Sequence, residues 1–144
     1  MPYPSEYQRA TDHFAKFLSD VKKVSDLGSV HQSYTMAQGV FQVFRRRVSL
    51  KDSILFTSAL NVGLRALYIA DWDVEETMLP FDEYEKMNQE VRNLRPTHNF
   101  STDNAIKEVA IALRLNVDEK VFDSILEKLP IEAKAFWEVT EKEK

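Results

Sequence analysis

Residues 49–72 read SLKDSILFTSALNVGLRALYIADW, and part of this text returns later in the chain. The segment LNVGLRALY at residues 60–68 lines up with LPIEAKAFW at residues 129–137, with Leu60 falling on Leu129. A repeat of this length predicts two helical units packed around one core, because neither unit covers its own apolar face alone.

The spacing upstream supports the repeat. Ala37, Val40, Phe41, Phe44 and Val48 fall at i, i+3, i+4, i+7 and i+11, the stripe of a half-buried helix. In the register that sets Leu60 on Leu129, their counterparts are Ile106, Val109, Ala110, Leu113 and Val117, all apolar. Ser33 is the expected cap of the first of these helices and aligns with Thr102. Ser49, with Asp52 three positions on, starts a shorter helix carrying Ile54, Leu55 and Phe56. Its counterpart begins at Asp118 and carries Val121, Phe122, Ile125 and Leu126. Pro130 lacks an amide hydrogen and suits the start of a further helix, so the matching break in the first unit falls at residues 61–63. Each unit then closes on a large aromatic, Tyr68 or Trp137.

The flanks complete the units. Ser5 and Gln8 have the spacing of a capping box, and Phe14, Phe17, Leu18, Val21 and Val24 form the stripe that follows. Residues 25–28 read as its stop, with Gly28 expected at positive φ. Tyr84, Met87, Val91 and Leu94 echo Phe14, Phe17, Val21 and Val24, on a helix expected over residues 81–94. This echo runs one position out of register with the rest. An insertion in a loop at 95–100, marked by Pro96, accounts for the slip. The charged tail, residues 138–144, is expected to fray.

A chain of 144 residues suits one domain, which would bury roughly 70% of the surface its unfolded form exposes. The expected division is a single domain over 1–144, with repeat one at about 6–70, an acidic linker at 71–80 and repeat two at about 81–140. A formal charge of −4 gives no general attraction for phosphate backbones or anionic lipid. The lack of cysteine removes disulfides, thiol nucleophiles and thiolate metal sites, and fits a reducing cytoplasm. Residues 1–12 lack a basic region followed by an apolar run, so no signal peptide is expected. No segment approaches the roughly 18 uninterrupted apolar residues of a spanning helix.

The pattern resembles small bacterial helical proteins grouped as domain-of-unknown-function family 2267. The resembling features are the helix at residues 37–48 ending in Arg47-Val48, the capped helix at 49–60 and the segment Gly63-Leu64-Arg65-Ala66-Leu67-Tyr68. The linker Asp71-Trp72-Asp73 and a weaker second copy ending at residues 129–137 complete the match, which covers most of residues 6–140. The usual Leu-Pro before the fourth helix survives at Leu129-Pro130, but the first copy has Leu60-Asn61. The resemblance implies a helical fold and supplies neither an activity nor catalytic residues.

Candidate chemistry is sparse. Seven of the fifteen residues from 71 to 85 are acidic (Asp71, Asp73, Glu75, Glu76, Asp82, Glu83, Glu85) and none is Lys or Arg. Read as a calcium loop, this stretch puts Glu76 where the sharp turn requires Gly and Asp82 where a bidentate Glu is needed. Acids at a helix start, with Trp72, Met78 and Leu79 pinning the linker to the core, explain it better. Arg45, Arg46 and Arg47 sit in a helix's last turn, where cations meet the dipole favourably; a nucleic-acid surface would need more basic residues on one face and free aromatics. Arg45 aligns with Arg114, which suggests an ion pair built into the repeat. His13, His31 and His98 share no metal-ligand spacing, and no nucleophile elbow, phosphate loop or dinucleotide fingerprint occurs. The paired acids Asp82 with Glu85 and Glu138 with Glu141 read as solvated.

The expected molecule is all-α, a tandem duplicated bundle with its interface drawn from Phe41, Phe44, Phe56, Leu60, Leu67, Tyr68, Ile125, Leu129, Phe136 and Trp137. The expected function is a non-enzymatic protein-interaction or adaptor module with no cofactor and no metal. Its interaction surface is expected to include Asp71, Trp72, Asp73, Glu75, Glu76, Arg45, Arg46 and Arg47. The partner would be another protein rather than nucleic acid or membrane, and a homodimer is compatible with the sequence. The alternatives are a small-molecule binder or enzyme with a pocket between the repeats and, more weakly, nucleic-acid binding through the arginine triplet.

Overall fold

The computed structural model describes residues 3–94 and 100–144, which are all-helical with no strand among them. The loop expected at 95–100, its Pro96 and His98 therefore fall almost wholly outside the described residues. In chain order the helices are α1 (Ser5–Gln8), α2 (Ala10–Ser25), α3 (Val30–Arg45), α4 (Leu50–Thr57), α5 (Val62–Ile69), α6 (Tyr84–Asn93), α7 (Ala105–Arg114), α8 (Glu119–Leu126) and α9 (Ile131–Phe136). No described helix is long and apolar enough to cross a membrane.

The helix bounds keep the register of Leu60 on Leu129. In that register α4 and α8 coincide at both ends, α5 and α9 start together, and α3 and α7 end together. Packing is reciprocal: α2 lies on α7 and α6 lies on α3, while α3 touches α7 and α4 touches α8. Exchanging the halves turns the first contact into the second. α2 is thus covered by α3 of its own half as much as by α7, and α6 lies on both α3 and α7.

The stripe residues of α3 and α7 are buried, with Val48 close to fully so and Val117 partly. All ten expected interface residues are buried as well. Their rings meet across the halves: Phe44 lies 5.0 Å from Phe136 and 5.3 Å from Trp137, and Phe56 stacks on Trp137 at 5.3 Å. Each such side chain contributes about 1.5–3 kcal/mol by leaving water. Gly39 brings α3 close to α6, since a Cβ there would meet Val91 Cγ1 at 3.1 Å.

Several local expectations are corrected. Ser29, not Ser33, caps α3, its hydroxyl accepting from the Gln32 amide at 3.2 Å. Ser33 is buried one turn inside the helix, because nothing in residues 30–32 halts helix extension. Asp26, not Gly28, takes the left-handed conformation that ends α2, at φ 58°. A short polar side chain tolerates that region, and the Leu27 amide closes the turn on the Lys22 carbonyl at 3.2 Å. Ser5 lies within α1 after Pro4 and makes no cap; Gln8 Nε2 donates instead to the Tyr3 carbonyl.

Thr102 does not cap α7. Its hydroxyl donates to the Glu108 carboxylate, while the buried Asn88 Oδ1 of α6 accepts from the Ile106 amide at 2.9 Å. α6 starts at Tyr84 rather than residue 81, since Phe81 lies ahead of the helix and places its ring 6.3 Å from both Phe44 and Phe136. The tail folds back rather than standing free: Lys107 Nζ donates to the Glu138 carbonyl at 2.7 Å, and Val139 packs on the core.

Candidate functional site

α3 ends in three arginines because its last turn faces the start of the linker. Arg45 is buried, and its Nη1 donates to the carbonyls of Tyr68 at 2.7 Å and Ala70 at 2.9 Å. Its Nη2 donates to the Asp71 carbonyl at 3.2 Å, and the guanidinium carbon lies 5.5 Å from the centre of the Trp72 ring. Burial pushes the Arg45 guanidinium below its ordinary range, while Tyr68, Glu76 and Asp71 oppose the shift. At the equivalent position of the second half, Arg114 Nε donates to the Trp137 carbonyl at 3.0 Å. The same position in each half thus holds the carbonyl of its closing aromatic. The ion pair suggested for this repeat element exists only at Arg114 of the two, with Asp123 at 2.8 Å and Glu119 at 3.2 Å.

Arg46 and Arg47 complete the clamp. Arg46 Nε pairs with Glu76 at 2.9 Å, its Nη1 with Glu90 of α6 at 2.9 Å, and its carbonyl accepts from the Leu79 amide at 3.0 Å. Arg47 is buried; it grips Glu90 Oε2 at 2.6 Å and donates to the carbonyls of Pro80 at 3.0 Å and Val43 at 2.8 Å. The three arginines therefore bind the linker and the second half rather than presenting a free positive face.

The linker turns at Asp71, held at φ 56°, and Asp73 Oδ1 accepts from the Glu75 amide at 3.0 Å. Trp72 is half-buried, its ring edge-on to Tyr68 at 6.0 Å. Asp71, Asp73 and Glu75 stay exposed, and Glu76 is tied to Arg46. Met78 and Leu79, expected to pin the linker to the core, are instead 61% and 39% exposed, with Val74 at 59%. The pinning is done by the arginines and Trp72. Among the described residues no three His, Asp or Glu side chains converge as a metal site.

An open cleft of about 510 Å³ runs between the halves, lined by His13, Lys16, Asn61, Arg65, Asn116 and Asp118 among others. Most of its polar groups have internal partners. Asn61 and Asp118 cap α5 and α8, and Arg65 Nε donates to the Leu60 carbonyl at 2.8 Å. Burial raises the Asp20 carboxyl, but hydrogen bonds from Lys16 and Asn116 outweigh it and hold the group below its ordinary range. His13 Nδ1 is buried and has no hydrogen-bond partner among the described residues. Sequence reasoning missed Glu90, the acid that completes the arginine clamp; nothing in its local context marks it.

A family model described as an uncharacterized conserved protein, DUF2267, matches residues 14–136. No curated protein matches the chain.

Proposed function

Because the chain belongs to the uncharacterized conserved protein family DUF2267, whose description carries no activity, we propose from geometry alone that it is a non-enzymatic protein-interaction module. Its docking region is the linker of residues 71–80. One observation carries this reading: the linker is held by Arg45, Arg46 and Arg47, yet Val74, Met78 and Leu79 face solvent among Asp73, Glu75 and Glu76. A segment ordered in advance loses less conformational entropy when a partner binds, and apolar side chains held outward on it gain by being covered. On its lack of cysteine we place the module in a reducing cytoplasm.

The test is a photo-crosslinking residue at position 78 in cells, with a control at the exposed Leu115. A discrete adduct at 78 and none at 115 is the expected result. Equal labelling at both positions, or none at either, would remove the reading.

A second reading, a small-molecule binder or enzyme, rests on the cleft beside the buried His13 Nδ1. Metabolites that raise the melting temperature of the wild type but not of His13→Gln would favour it. Nucleic-acid binding through the arginine triplet has less support, since Arg45 and Arg47 face inward and Arg46 is paired twice. A salt-dependent gel shift would revive it.

A further inference from the structure

We propose that the outer face of α4, continued by Ile69 and Trp72, seats a cationic amphipathic helix of a partner protein. This rests on the interaction-module reading and extends it by locating the contact on one helix face and fixing the partner's chemistry.

The argument comes from comparing the halves. On α8, Glu119 and Asp123 stand one turn apart and both reach the Arg114 guanidinium. At the equivalent positions of α4 stand Leu50 and Ile54. Without those carboxylates Arg45 turns to the linker carbonyls and underlies Trp72. Leu50 and Ile54 are left 51% and 62% exposed, while Ser53 and Phe56 of the same helix are buried. Ser53 meets the Tyr68 hydroxyl at 2.7 Å, which ties the end of α5, and with it the 55% exposed Ile69, to α4.

The fold does not require apolar residues here, because the second half carries Glu119, Asp123 and Glu138 at the matching positions. Two aliphatic side chains at i and i+4, held in water at positions that tolerate charge, have the spacing by which one helix face meets the apolar stripe of another.

The rim selects the occupant. Asp71 and Asp73 flank Trp72 in the chain and are exposed, as is Glu75, while Lys51 is the cation on α4; Arg46 is paired with Glu76 and Glu90, and the Arg45 guanidinium beneath Trp72 is buried with its Nη donors on carbonyls. A second copy of this chain, docking the same face, would set these acids against their own equivalents, and like charges at an interface are costly. A helix with an apolar stripe flanked by Lys or Arg satisfies both the face and its rim.

The experiment uses the full chain, isotope-labelled for amide NMR, titrated with a short amphipathic peptide of Leu and Lys and with one of Leu and Glu in the same pattern. The Leu/Lys peptide should shift amides of α4 and residues 69–75 and bind at least about tenfold more tightly than the Leu/Glu peptide. The double variant Leu50→Gln, Ile54→Gln should keep its melting temperature and weaken Leu/Lys binding by at least about tenfold. Equal affinity for the two peptides overturns the proposal, as does a concentration-dependent dimer through this face. Shifts centred on residues 74–79 that survive the double variant overturn it while leaving the interaction reading standing. No binding by either peptide, together with no adduct at position 78, removes both.

Discussion

Arg47 holds Glu90 through two hydrogen bonds, Nη2 to Oε2 at 2.6 Å and Nη1 to Oε1 at 3.3 Å. The guanidinium is buried and the carboxylate mostly so, which makes this a shielded bridge from the end of α3 to α6. Removing the carboxylate charge leaves a buried cation with neutral partners only. Glu90→Gln should therefore cost about 1–3 kcal/mol, below the loss for a fully buried pair because Glu90 keeps some water. Urea denaturation measures this, and amide exchange at Leu79, bonded to the neighbouring Arg46 carbonyl, should quicken.

Arg45→Met retains bulk and deletes the donors to three carbonyls. The Tyr68 carbonyl lies in the buried part of that set, and an unpaired buried acceptor costs about 1–3 kcal/mol. Trp72 also loses the group beneath its ring. Tryptophan emission should become more accessible to acrylamide, because Trp137 is fully buried and Trp72 is the ring released. Unchanged quenching would show that Trp72 is held by Tyr68 alone.

Asn88→Ala removes a cap supplied from another helix. Asn88 is buried and accepts the Ile106 amide, and α7 has no side-chain cap of its own. The expected loss is about 1–2 kcal/mol, in line with helix caps generally. Asn88→Asp, which keeps the acceptor, should lose less.

Alkaline pH should destabilise the fold through two tyrosines. Burial pushes Tyr68 up, partly offset by the Ser53 hydrogen bond and Arg45, and pushes Tyr84 up to about 12, helped by Glu143 and Glu138. Both pKa values are raised on folding, so the unfolded chain releases these protons first, near the ordinary tyrosine value of 10.0. Stability is complete below that pH and falls as pH rises through the folded values. Urea midpoints between about pH 9 and pH 12 should decline, with a shallower decline in Tyr68→Phe.

The first half should not fold alone. α2 and α3 lose their contacts with α7 and α6 in a fragment of residues 1–80. Such a fragment should aggregate or stay molten, without a cooperative melt. A sharp thermal transition would show that the front helices can cover themselves.

The stripes of α3 and α7 were readable because helical periodicity is a local property, and the Ser49 and Asp118 caps because capping acts within a single turn. The role of the arginines was not readable. Their partners Tyr68, Pro80 and Glu90 are distant in sequence, and two of the three contribute backbone carbonyls, which every residue supplies. Leu50 and Ile54 could be recognised as apolar, but only the placement of Ser53 against Tyr68 decides that they face outward. Ser33 misled because residue type cannot distinguish a serine at a helix start from one a turn inside it.

Arg46 and Arg47 hold the linker and α6 with the same guanidinium groups, across the junction. A joint clamped from both sides resists one half swinging about the other, and a partner that docks on it meets side chains that are already held.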